Sequence, residues 1–521
     1  MVEILRNIVF NIKAMLCDNK PKKRNIQPIY LFEKINRLIA ISTATGDFYH
    51  ISPQTYNALK KWQAMITASK NFLNEDGLIV LAKNCNIPRN IIKNFPSPWK
   101  KHIIEKGQHA KSHLTDLTLN LTSECNLKCI YCWNDQGKYT NTCFAQDQSY
   151  QKENSTKNNN MPVKTALKAI DLLVKSCTED KNLVLDFYGG EPLMNLKTLR
   201  AAVAYCRKNE QLWGVKFHFL LATNGTLLTP SLAEELIDQG VQIAVSIDGP
   251  ASVHNKNRPF VDKTGSYEKI TANLKNMPEK ILKRLVGRTT VTPYYADMSE
   301  LYHHLRNLGF ERIELFESED ACHKINPQRE SVFFHTREQY DNLCKEYEKL
   351  AFLYIDEVVN GKLDYAKTFF NRFFKLMQRL YYNYELTGGC PAAKGQIAVS
   401  SNGEIYPCTS FLGIKEFQIG NIESGIDKAA YKKFVNTINQ RFNFCKNCFL
   451  FSLCRSTGSC LNMNHYFNGN AAKPHKQSCR LFQEKLKLAI AALSILTEKI
   501  PDKIEELFGF DPVGKRGNEL Y

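Results

Sequence analysis

Three cysteines lie close together in one short segment of the chain. Cys125, Cys129 and Cys132 are separated by three and by two residues, directly after a stretch that reads as a strand. Three thiolates in one loop can converge on one metal centre, but a closed structural zinc site needs four ligands. No fourth Cys or His stands near enough in the sequence to complete such a site. A four-iron cluster held by three cysteines would keep one iron open, whereas a triplet of inert buried thiols is the simpler alternative.

A second group of cysteines lies nearer the end of the chain. The protein has 17 cysteines, an odd number, in 521 residues, and a chain of this size does not need disulfides for stability. The thiols are therefore expected to serve metal binding or catalysis. The second group consists of Cys390, Cys408, Cys445, Cys448, Cys454, Cys460 and Cys479. Pairs of cysteines two residues apart also occur in zinc ribbons and knuckles, so zinc binding is the main alternative here.

The composition predicts a soluble globular protein of the cytoplasm. Hydrophobic residues make up 43% of the chain and charged residues 23%, unlike a disordered or fibrous sequence. No apolar run reaches the roughly 20 residues of a membrane span. The first segment, 1–16, carries Glu3, Arg6 and Lys13, which a secretory signal would not. Lys and Arg exceed Asp and Glu by 69 to 52, which favours acidic partners in general, although most of these cations are expected to be simply solvated.

Short strands alternate with helices in the middle of the chain and would position the first cysteine group. Strands are predicted at 117–122, 183–187, 216–222, 242–246, 285–291 and 312–316, and helices at 162–177, 196–208, 231–239, 267–276 and 298–308. This alternation indicates a parallel sheet, either a full or partial barrel or an open doubly wound sheet. In both arrangements the active-site residues gather at the carboxyl ends of the strands.

Five regions are predicted along the chain. Residues 1–110 form a small mixed α+β unit with strands at 29–32 and 38–42, a turn at 45–47 and a helix that begins after Ser52. The α/β core follows at 111–330 and contains a long polar loop at 134–160. The remaining regions are a helical linker at 331–387 with one helical stretch over 337–384, the Cys-rich region at 388–485, and a tail at 486–521. The last helix, 480–500, is amphipathic and is expected to pack back on the body.

The first cysteine group resembles the cluster motif of the radical S-adenosylmethionine (radical SAM) superfamily. The resemblance rests on Cys125, Cys129 and Cys132 together with Tyr131. It implies a [4Fe-4S] cluster whose open iron chelates S-adenosylmethionine, with cleavage to a deoxyadenosyl radical that abstracts hydrogen from the substrate. It also implies a partial (β/α)6 barrel as the fold of the core, with Tyr131 as part of the cofactor site.

Other motifs at the predicted strand ends agree with this resemblance. Gly189, Gly190 and Glu191 follow the second strand and match the family motif for the methionyl amino group, where a turn is the plain alternative. The remaining predicted cofactor contacts are Asn224 after the third strand, Ser246 after the fourth and Arg288 on the fifth. By resemblance Ser246 contacts the ribose hydroxyls and Arg288 the cofactor carboxylate. An ordinary surface ion pair is the alternative for Arg288.

The second cysteine group resembles the SPASM extension of radical SAM enzymes that modify peptides. The match runs over residues 388–408 and implies two auxiliary [4Fe-4S] clusters, and therefore three clusters in all. The resemblance assigns Cys445, Cys448, Cys454 and Cys479 to an outer cluster and Cys390, Cys408 and Cys460 to an inner one. Five residues separate Cys454 from Cys460 where the family usually has three.

Several cysteines are left without a cluster in this assignment. The fourth inner ligand stays open between the substrate and a distant cysteine such as Cys322 or Cys344. Five others are expected to be buried apolar residues or loop thiols: Cys17, Cys85, Cys143, Cys177 and Cys206.

The resemblance predicts a peptide maturase that crosslinks a ribosomally made precursor through a thioether, carbon–carbon or related bond. Sulfatase maturases, which form formylglycine, are the alternative within the family. They carry an Asp base directly after the Cys that matches Cys408, where this chain has Thr409. A zinc-dependent nucleic-acid-binding protein is the alternative outside the family. No residue is assigned as a general acid or base.

The expected partners follow from the same resemblance. They are a precursor peptide and a low-potential electron donor of the flavodoxin or ferredoxin kind, with neither a membrane nor a nucleic acid expected. The hairpin near residues 39–51 resembles the leading hairpin of maturases that bind a leader peptide. An exposed strand edge there could capture the leader by adding a strand, although a purely structural hairpin is equally compatible with the sequence.

Overall fold

A computed structural model of the protein describes most of the chain. It covers residues 29–42, 48–68, 114–132, 159–177, 181–318, 333–334, 336–362, 371–381, 390–445, 448, 450–454 and 458–508. Some predictions fall outside these residues: the turn at 45–47, nearly all of the polar loop 134–160, and Cys17, Cys85, Cys143 and Cys322.

Three short antiparallel strands and one helix form the first part of the described chain. They are β1 (Ile29–Lys34), β2 (Arg37–Ser42), β3 (Phe48–His50) and α1 (Pro53–Ala68), with the strand order β1-β2-β3. Ile35 and Asn36 both have positive φ, at 42° and 59°, as a tight two-residue hairpin turn requires. The two predicted strands are confirmed. The third strand was not predicted, because it is only three residues long.

The first cysteine group follows the end of one strand of a ten-stranded sheet. Its strands are β4 (Asp116–Thr122), β5 (Asn182–Gly189), β6 (Lys216–Thr223), β7 (Val241–Ser246), β8 (Val286–Val291), β9 (Arg312–Glu317), β10 (Gln396–Val399), β11 (Glu404–Tyr406), β12 (Gly420–Asn421) and β13 (Gly425–Ile426). The spatial order is β13-β12-β11-β10-β4-β5-β6-β7-β8-β9. All six strands predicted for the core are present with nearly the predicted bounds.

The order of β4 to β9 decides between the two predicted arrangements. These six strands are parallel and follow one another in space as they do in the chain. Right-handed crossovers that advance in one direction place their helices on one face of the sheet, whereas a doubly wound sheet reverses direction partway. The sheet is therefore wound as a barrel. Because β9 pairs with no second strand of the described chain, the barrel is partial, and the predicted partial (β/α)6 fold is confirmed.

Seven helices connect the strands of the core in the described part of the chain. They are α2 (Val163–Ser176), α3 (Leu196–Trp213), α4 (Pro230–Asp238), α5 (Ala251–Asn257), α6 (Tyr267–Lys275), α7 (Glu279–Leu282) and α8 (Met298–Asn307). Side-chain oxygens of Thr229 and Asp297 accept backbone N–H groups at the starts of α4 and α8. The five predicted helices are confirmed, and α5 and α7 are two short additions between β7 and β8.

The two faces of the core sheet differ in polarity. In β4, Leu117, Leu119 and Leu121 are fully buried against the helices, whereas Thr118 between them is only partly buried. Asp186 is likewise partly exposed on the same side of β5, paired with Thr118 in the strand ladder. Since successive side chains of a strand point to opposite faces, the side away from the helices is a polar interior face.

The Cys-rich region extends the core sheet. β10 pairs in parallel with β4 on the edge opposite β5, and β11, β12 and β13 continue the sheet as antiparallel strands. This attachment was not predicted, because each of these strands has four residues or fewer.

Helices make up the rest of the described C-terminal half. They are α9 (Arg337–Val359), α10 (Asn371–Tyr381), α11 (Lys428–Asn439), α12 (Arg441–Cys445), α13 (Phe451–Cys454), α14 (Leu461–Asn468), α15 (Lys476–Lys499) and α16 (Ile504–Phe508). The single helical stretch predicted over 337–384 is thus described as two helices. As predicted, the long C-terminal helix α15 packs back on the body, against α9 and α10. Among the described helices none is long and apolar enough to span a membrane.

Candidate cluster and cofactor site

Backbone hydrogen bonds from a distant segment hold the first cysteine loop. The loop leaves the carboxyl end of β4, and the N–H groups of Lys128 and Ile130 donate to the carbonyls of Pro259 and Asn257 at 2.7 and 2.9 Å. An isolated bridge between Leu127 and Phe260 adds to this contact. The three cysteines are therefore positioned by the chain that follows α5, about 130 residues later.

The structure brings the three thiols of this loop together. The pKa of Cys125 is raised to about 12, first by burial and to a smaller extent by the nearby Glu191 carboxylate and Cys132 thiol. Burial also raises the pKa of Cys129 well above its ordinary value, with contributions from the Cys132 and Cys125 thiols. The Leu127 N–H points at the Cys125 Sγ, 3.4 Å away. All three cysteines are free thiols.

A buried ion pair lies beneath the loop. The Arg258 Nε lies 3.1 Å from the Asp248 Oδ1, and both side chains are almost completely buried. The Tyr131 hydroxyl donates to the other Asp248 oxygen, and the Arg258 guanidinium lies 5.3 Å from the centre of the Tyr131 ring. The same guanidinium lowers the pKa of Cys129, against the effect of burial. Tyr131 therefore joins the cysteine loop to the end of β7.

Asp248 and Arg258 are functional candidates to which the sequence assigned no role. Asp248 also accepts hydrogen bonds from Asn257 Nδ2 at 3.1 Å and from the Thr290 N–H at 3.0 Å. The available sequence pattern was the Ser246–Pro250 segment followed by Arg258-Pro259. Their pairing depends on the turn between them and could not be inferred from spacing.

The Gly189-Gly190-Glu191 segment packs directly on the cysteine loop. The Gly190 N–H donates to the Thr122 carbonyl and the Glu191 N–H to the Glu124 carbonyl, both at 2.8 Å. A Cβ added at Gly190 would lie 2.1 Å from the Glu124 carbonyl oxygen and 3.1 Å from the Cys125 Cβ. Gly190 is thus required for the close approach of two backbones.

Glu191 is buried between the cysteine loop and β6. One of its oxygens accepts from Thr223 Oγ1 at 2.7 Å and from the Leu193 N–H at 3.1 Å, and the other accepts from the Asn224 N–H at 2.7 Å. Burial raises its pKa, and these hydrogen bonds oppose the rise. In this structure the carboxylate fixes the motif to the end of β6, and its contact with a cofactor ammonium stays a prediction.

The other three predicted contacts lie at neighbouring strand ends. Asn224 is buried, and its Nδ2 donates to Asn126 Oδ1 at 2.8 Å and lies 4.0 Å from the Cys125 Sγ. Ser246 pairs with Arg288 in the β7–β8 ladder. The Arg288 Nε lies 3.9 Å from a Glu314 oxygen, and its guanidinium lies 4.4 Å from the centre of the Phe316 ring. Arg288 thus makes an ion pair with the buried Glu314 while its own side chain is partly exposed, and its contact with the cofactor carboxylate stays a prediction.

A carboxylate on the interior face links the core to the Cys-rich region. The pKa of Asp186 is raised to about 7, because the effect of burial exceeds the opposing effects of the Arg288 cation and of a hydrogen bond from Thr118. Thr118 Oγ1 lies 3.5 Å from the Asp186 carboxylate and 3.3 Å from the Thr409 hydroxyl. β5 and β8 are three strands apart, so the interaction of Asp186 with Arg288 requires the curved sheet of a barrel.

The predicted inner group of cysteines comes together in the structure. Burial raises the pKa of Cys408 well above its ordinary value, and the Cys390 and Cys460 thiols raise it further. The Cys390 pKa is also raised, first by burial and then by Cys460. Cys460, whose spacing departs from the family pattern, thus lies with its predicted partners. Cys344 has Glu484, Arg480, Lys34 and Asp341 as charged neighbours, and no cysteine is among them.

The predicted outer group is also assembled. The pKa of Cys479 is raised to about 12, first by burial and to a smaller extent by the Cys454, Cys445 and Cys448 thiols. The Gly458 N–H donates to the Cys454 Sγ at 3.3 Å. The four cysteines come from α12, α13, α15 and the residues between them, so this group forms only when three helices meet.

Two family models match the regions that contain these cysteines. Residues 119–307 match the model of the radical SAM superfamily. Residues 390–449 match SPASM, an iron-sulfur cluster-binding domain. This chain contains a radical SAM domain and a SPASM domain. The two domains imply iron–sulfur clusters and S-adenosylmethionine as cofactors, and the resemblance found in the sequence is confirmed. The zinc-dependent alternative finds no support in either match.

The curated relatives of this radical SAM protein include maturases and a ring-forming enzyme. A cysteine-type anaerobic sulfatase-maturating enzyme of Clostridium novyi is 24% identical over 380 residues, which cover 70% of this chain and 92% of the relative. The radical SAM cyclopropyl synthase TigE of Paramaledivibacter caminithermalis is 22% identical over 432 residues, 81% of each protein.

Solved structures with the same fold contain bound cofactor. Native anSMEcpe with bound AdoMet and Cp18Cys peptide has a TM-score of 0.58 at 20% identity, covering 74% of this chain and 99% of that one. Hexahistidine-tagged anSMEcpe with bound AdoMet has a TM-score of 0.60 at 20% identity, covering 78% and 99%. At this level of identity the likeness shows a shared fold.

The cysteines of this radical SAM protein fit iron–sulfur clusters in their chemistry. All ten predicted ligands are free thiols in the structure. Backbone N–H groups two to four residues further along the chain donate to the sulfurs of Cys125, Cys390, Cys408, Cys448 and Cys454. Such donors stabilise thiolate ligands and the negative charge of a cluster. Among the described residues no three His, Cys, Asp or Glu side chains are grouped closely enough for a single metal ion.

Proposed function

We propose that this radical SAM/SPASM enzyme crosslinks a ribosomally made precursor peptide, through a thioether, a carbon–carbon or a related bond. The domains establish the class of enzyme, and the peptide and the bond are the proposal. The observation that carries it is Thr409, which follows Cys408 where sulfatase maturases have a carboxylate base. A threonine hydroxyl does not accept a proton at neutral pH, so formylglycine chemistry would lack its base at this position.

The proposed cofactor set is three [4Fe-4S] clusters and one S-adenosylmethionine. Cys125, Cys129 and Cys132 would hold the first cluster, with Gly190 and Asn224 beside it. Ser246 and Arg288, paired in the adjacent ladder, would contact the rest of the cofactor. The two auxiliary clusters would be held by the inner and outer cysteine groups. A low-potential protein of the flavodoxin or ferredoxin kind is the proposed electron donor.

A crosslink removes two hydrogens from the peptide, and one of them needs a proton acceptor in the protein. When bound, S-adenosylmethionine and the clusters supply the radical that takes the other hydrogen and the acceptor for the remaining electron. Asp186 is the proposed proton acceptor. It lies on the interior face, where its carboxylate is 3.5 Å from the Thr118 hydroxyl. That hydroxyl is 3.3 Å from the hydroxyl of Thr409, the residue that follows Cys408. Its raised pKa, about 7, suits a base that works near neutral pH.

The small antiparallel sheet is the proposed site for the leader of the precursor. β1 and β3 are its outer strands, and within the described chain each of them pairs with β2 alone, which leaves its other edge open. An extended peptide can add to such an edge through main-chain hydrogen bonds. Lys34 at the end of β1 contacts Glu348 of α9 and Glu484 of α15, at 3.1 and 3.4 Å. These ion pairs attach the sheet to α9 and to α15, the helix that contains Cys479 of the outer group.

The test is a reaction of the reconstituted enzyme under anaerobic conditions. The enzyme, a reductant and S-adenosylmethionine are mixed with the short peptide encoded beside its gene, and deoxyadenosine and peptide mass are measured. We expect deoxyadenosine together with the loss of two hydrogens for each crosslink, located by fragmentation. Deoxyadenosine with an unchanged peptide would contradict the proposed substrate. The absence of deoxyadenosine from enzyme with full iron would contradict the proposed chemistry.

Sulfatase maturation is the second candidate, because anaerobic sulfatase-maturating enzymes are among the relatives. The same reaction is run with a sulfatase peptide that contains the target Cys or Ser. We expect no aldehyde, measured with a hydrazide reagent. Conversion of that peptide to formylglycine would replace the principal proposal with this one.

A further inference from the structure

Arg441 is a buried cation without a carboxylate partner in the described part of the chain. Its side chain is only 3% exposed, and its Nη2 donates to the Ser459 carbonyl at 2.5 Å. The Nε and Nη1 atoms are buried and make no hydrogen bond to any described group. A guanidinium has five N–H donors and is charged at every pH of interest. Most of its hydrogen-bonding capacity is therefore unused in this structure.

The position of Arg441 relates it to both cysteine groups of the SPASM region. Ser459, which accepts its hydrogen bond, directly precedes Cys460 of the inner group. Arg441 is also the first residue of α12, the helix that ends at Cys445 of the outer group. Its charge acts on Cys390 of the inner group and on Cys479 of the outer group. One guanidinium thus lies near thiols from two separate sets of ligands.

Such a residue is costly in a folded protein unless an anion compensates for it. An isolated buried charge loses its hydration, and the loss is recovered only by an opposite charge and by hydrogen bonds. The sulfurs of a thiolate-ligated cluster provide negative charge and accept hydrogen bonds. Two clusters on either side would satisfy the guanidinium from both directions.

We propose that Arg441 lies between the two auxiliary clusters, donates hydrogen bonds to sulfur atoms of both, and sets their reduction potentials together. The inference rests on the two auxiliary clusters of the proposed function. A fixed cation stabilises the reduced form of a cluster, which carries one more negative charge, so it raises the potential. Shared between two clusters, it raises both potentials.

The first experiment measures both potentials in a protein that lacks only the first cluster. Cys125, Cys129 and Cys132 are replaced by Ala, and the auxiliary clusters are titrated by EPR-monitored reduction with and without Arg441→Gln. We expect Arg441→Gln to shift both midpoint potentials to more negative values and Arg441→Lys, which keeps the charge, to shift them less. Arg480→Gln is the matched control, since Arg480 follows Cys479 but pairs with Asp341, and it should leave both potentials unchanged.

The outcomes separate this inference from the cofactor assignment. Two intact auxiliary clusters with unchanged potentials in Arg441→Gln would overturn the inference alone, and so would a shift of only one cluster. An iron content too low for two auxiliary clusters in the parent protein would overturn the cofactor set instead.

A second measurement does not depend on the folding of the Gln variant. The otherwise unsubstituted protein is labelled with 15N in its arginine side chains, and each reduced auxiliary cluster is examined by pulsed EPR. We expect a coupled 15N nucleus in the spectrum of both clusters and its loss in Arg441→Lys, because the lysine of that variant carries no label. No 15N coupling at either cluster would overturn the proposal.

Discussion

In the described part of each cysteine region one arginine is buried, and the two arginines have different partners. Arg258, beneath the first cysteine loop, has its charge paired with Asp248 at 3.1 Å and its face directed at Tyr131. Arg441, in the SPASM region, has a backbone carbonyl as its hydrogen-bond acceptor and no carboxylate among the described residues. The first arginine is neutralised by the protein. The second has no such partner among the described residues, which is the basis of the proposal that cluster sulfurs accept its remaining N–H groups.

The two regions also differ in what holds their loops. The first loop is fixed by backbone hydrogen bonds to residues 257–260 and by the approach of Gly190, all of which lie in segments that follow other strands of the barrel. The second region is built largely from its own sequence, where Arg441 bonds to Ser459 and Cys454 to Gly458. Other segments of the barrel therefore hold the first cysteine loop, whereas these hydrogen bonds of the second region join residues of that region to each other.

Removing a thiol from the first loop tests whether the two regions are independent, and it has the largest expected effect. Cys125→Ala should abolish deoxyadenosine formation and lower the iron content by about four per chain, because three cysteines are the minimum for such a cluster. The auxiliary clusters should keep their EPR signals. Iron analysis and chromatography of the products measure the effect. Cys206→Ala, a change in the core of α3, should keep the full iron content. If Cys125→Ala still cleaved S-adenosylmethionine to deoxyadenosine, the loop would not be the cofactor site.

Adding a methyl group at Gly190 tests whether the close approach of this segment holds the first cysteine loop in place. In Gly190→Ala the new methyl group would meet the Glu124 carbonyl at 2.1 Å, so one of the two backbones must move. We expect the rate of deoxyadenosine formation to fall about tenfold or more, since small displacements at a reacting centre are costly. Gly395→Ala is the control, because its nearest contact would be the Pro391 Cβ at 3.6 Å. Equal rates in both variants would contradict this account.

Removing the charge of Asp248 gives the first region an unpaired arginine like that of the second. Asp248→Asn should lower the free energy of unfolding by about 3–5 kcal/mol, because Arg258 stays buried without its partner. Anaerobic urea unfolding measures the change. Glu235→Gln, which breaks the exposed pair with Arg200, should cost no more than about 1 kcal/mol. The double variant Asp248→Asn/Arg258→Met should be more stable than Asp248→Asn alone, and the opposite order would refute the pairing.

Titration of Asp186 tests the interior face that joins the two regions and has the smallest expected effect. Its pKa is raised from 3.8 to about 7, so the folded state binds this proton more tightly than the unfolded state. Its contribution to stability is therefore complete below about pH 4 and is lost as the pH rises to about 7. We compare the change in the free energy of unfolding that Asp186→Asn causes at two pH values. The change at pH 8 should be more stabilising than the change at pH 4 by on the order of 1–3 kcal/mol. A pH-independent effect would contradict the raised pKa.

Much of the barrel could be predicted because its signals are local. The strands at 117–122 and 216–222 alternate with amphipathic helices, and the hydrophobic period alone places them in a parallel sheet. The strands of the Cys-rich region were missed, since β11 has three residues and β12 two. The pairing of β10 with β4 joins residues about 280 positions apart, and no local pattern reports such a contact.

The spacing of the cysteines and the resemblance to the family predicted their division into three groups, because ligands of one cluster are often close together in the chain. Only folding brings Cys460 to Cys390 and Cys408, 52 or more residues earlier. Folding likewise pairs Asp248 with Arg258, and among the described residues it gives Arg441 a backbone carbonyl as its hydrogen-bond acceptor. The physical reason is that a motif fixes which atoms are available, whereas the charge and hydrogen bonds around a buried group come from whichever distant segments pack against it.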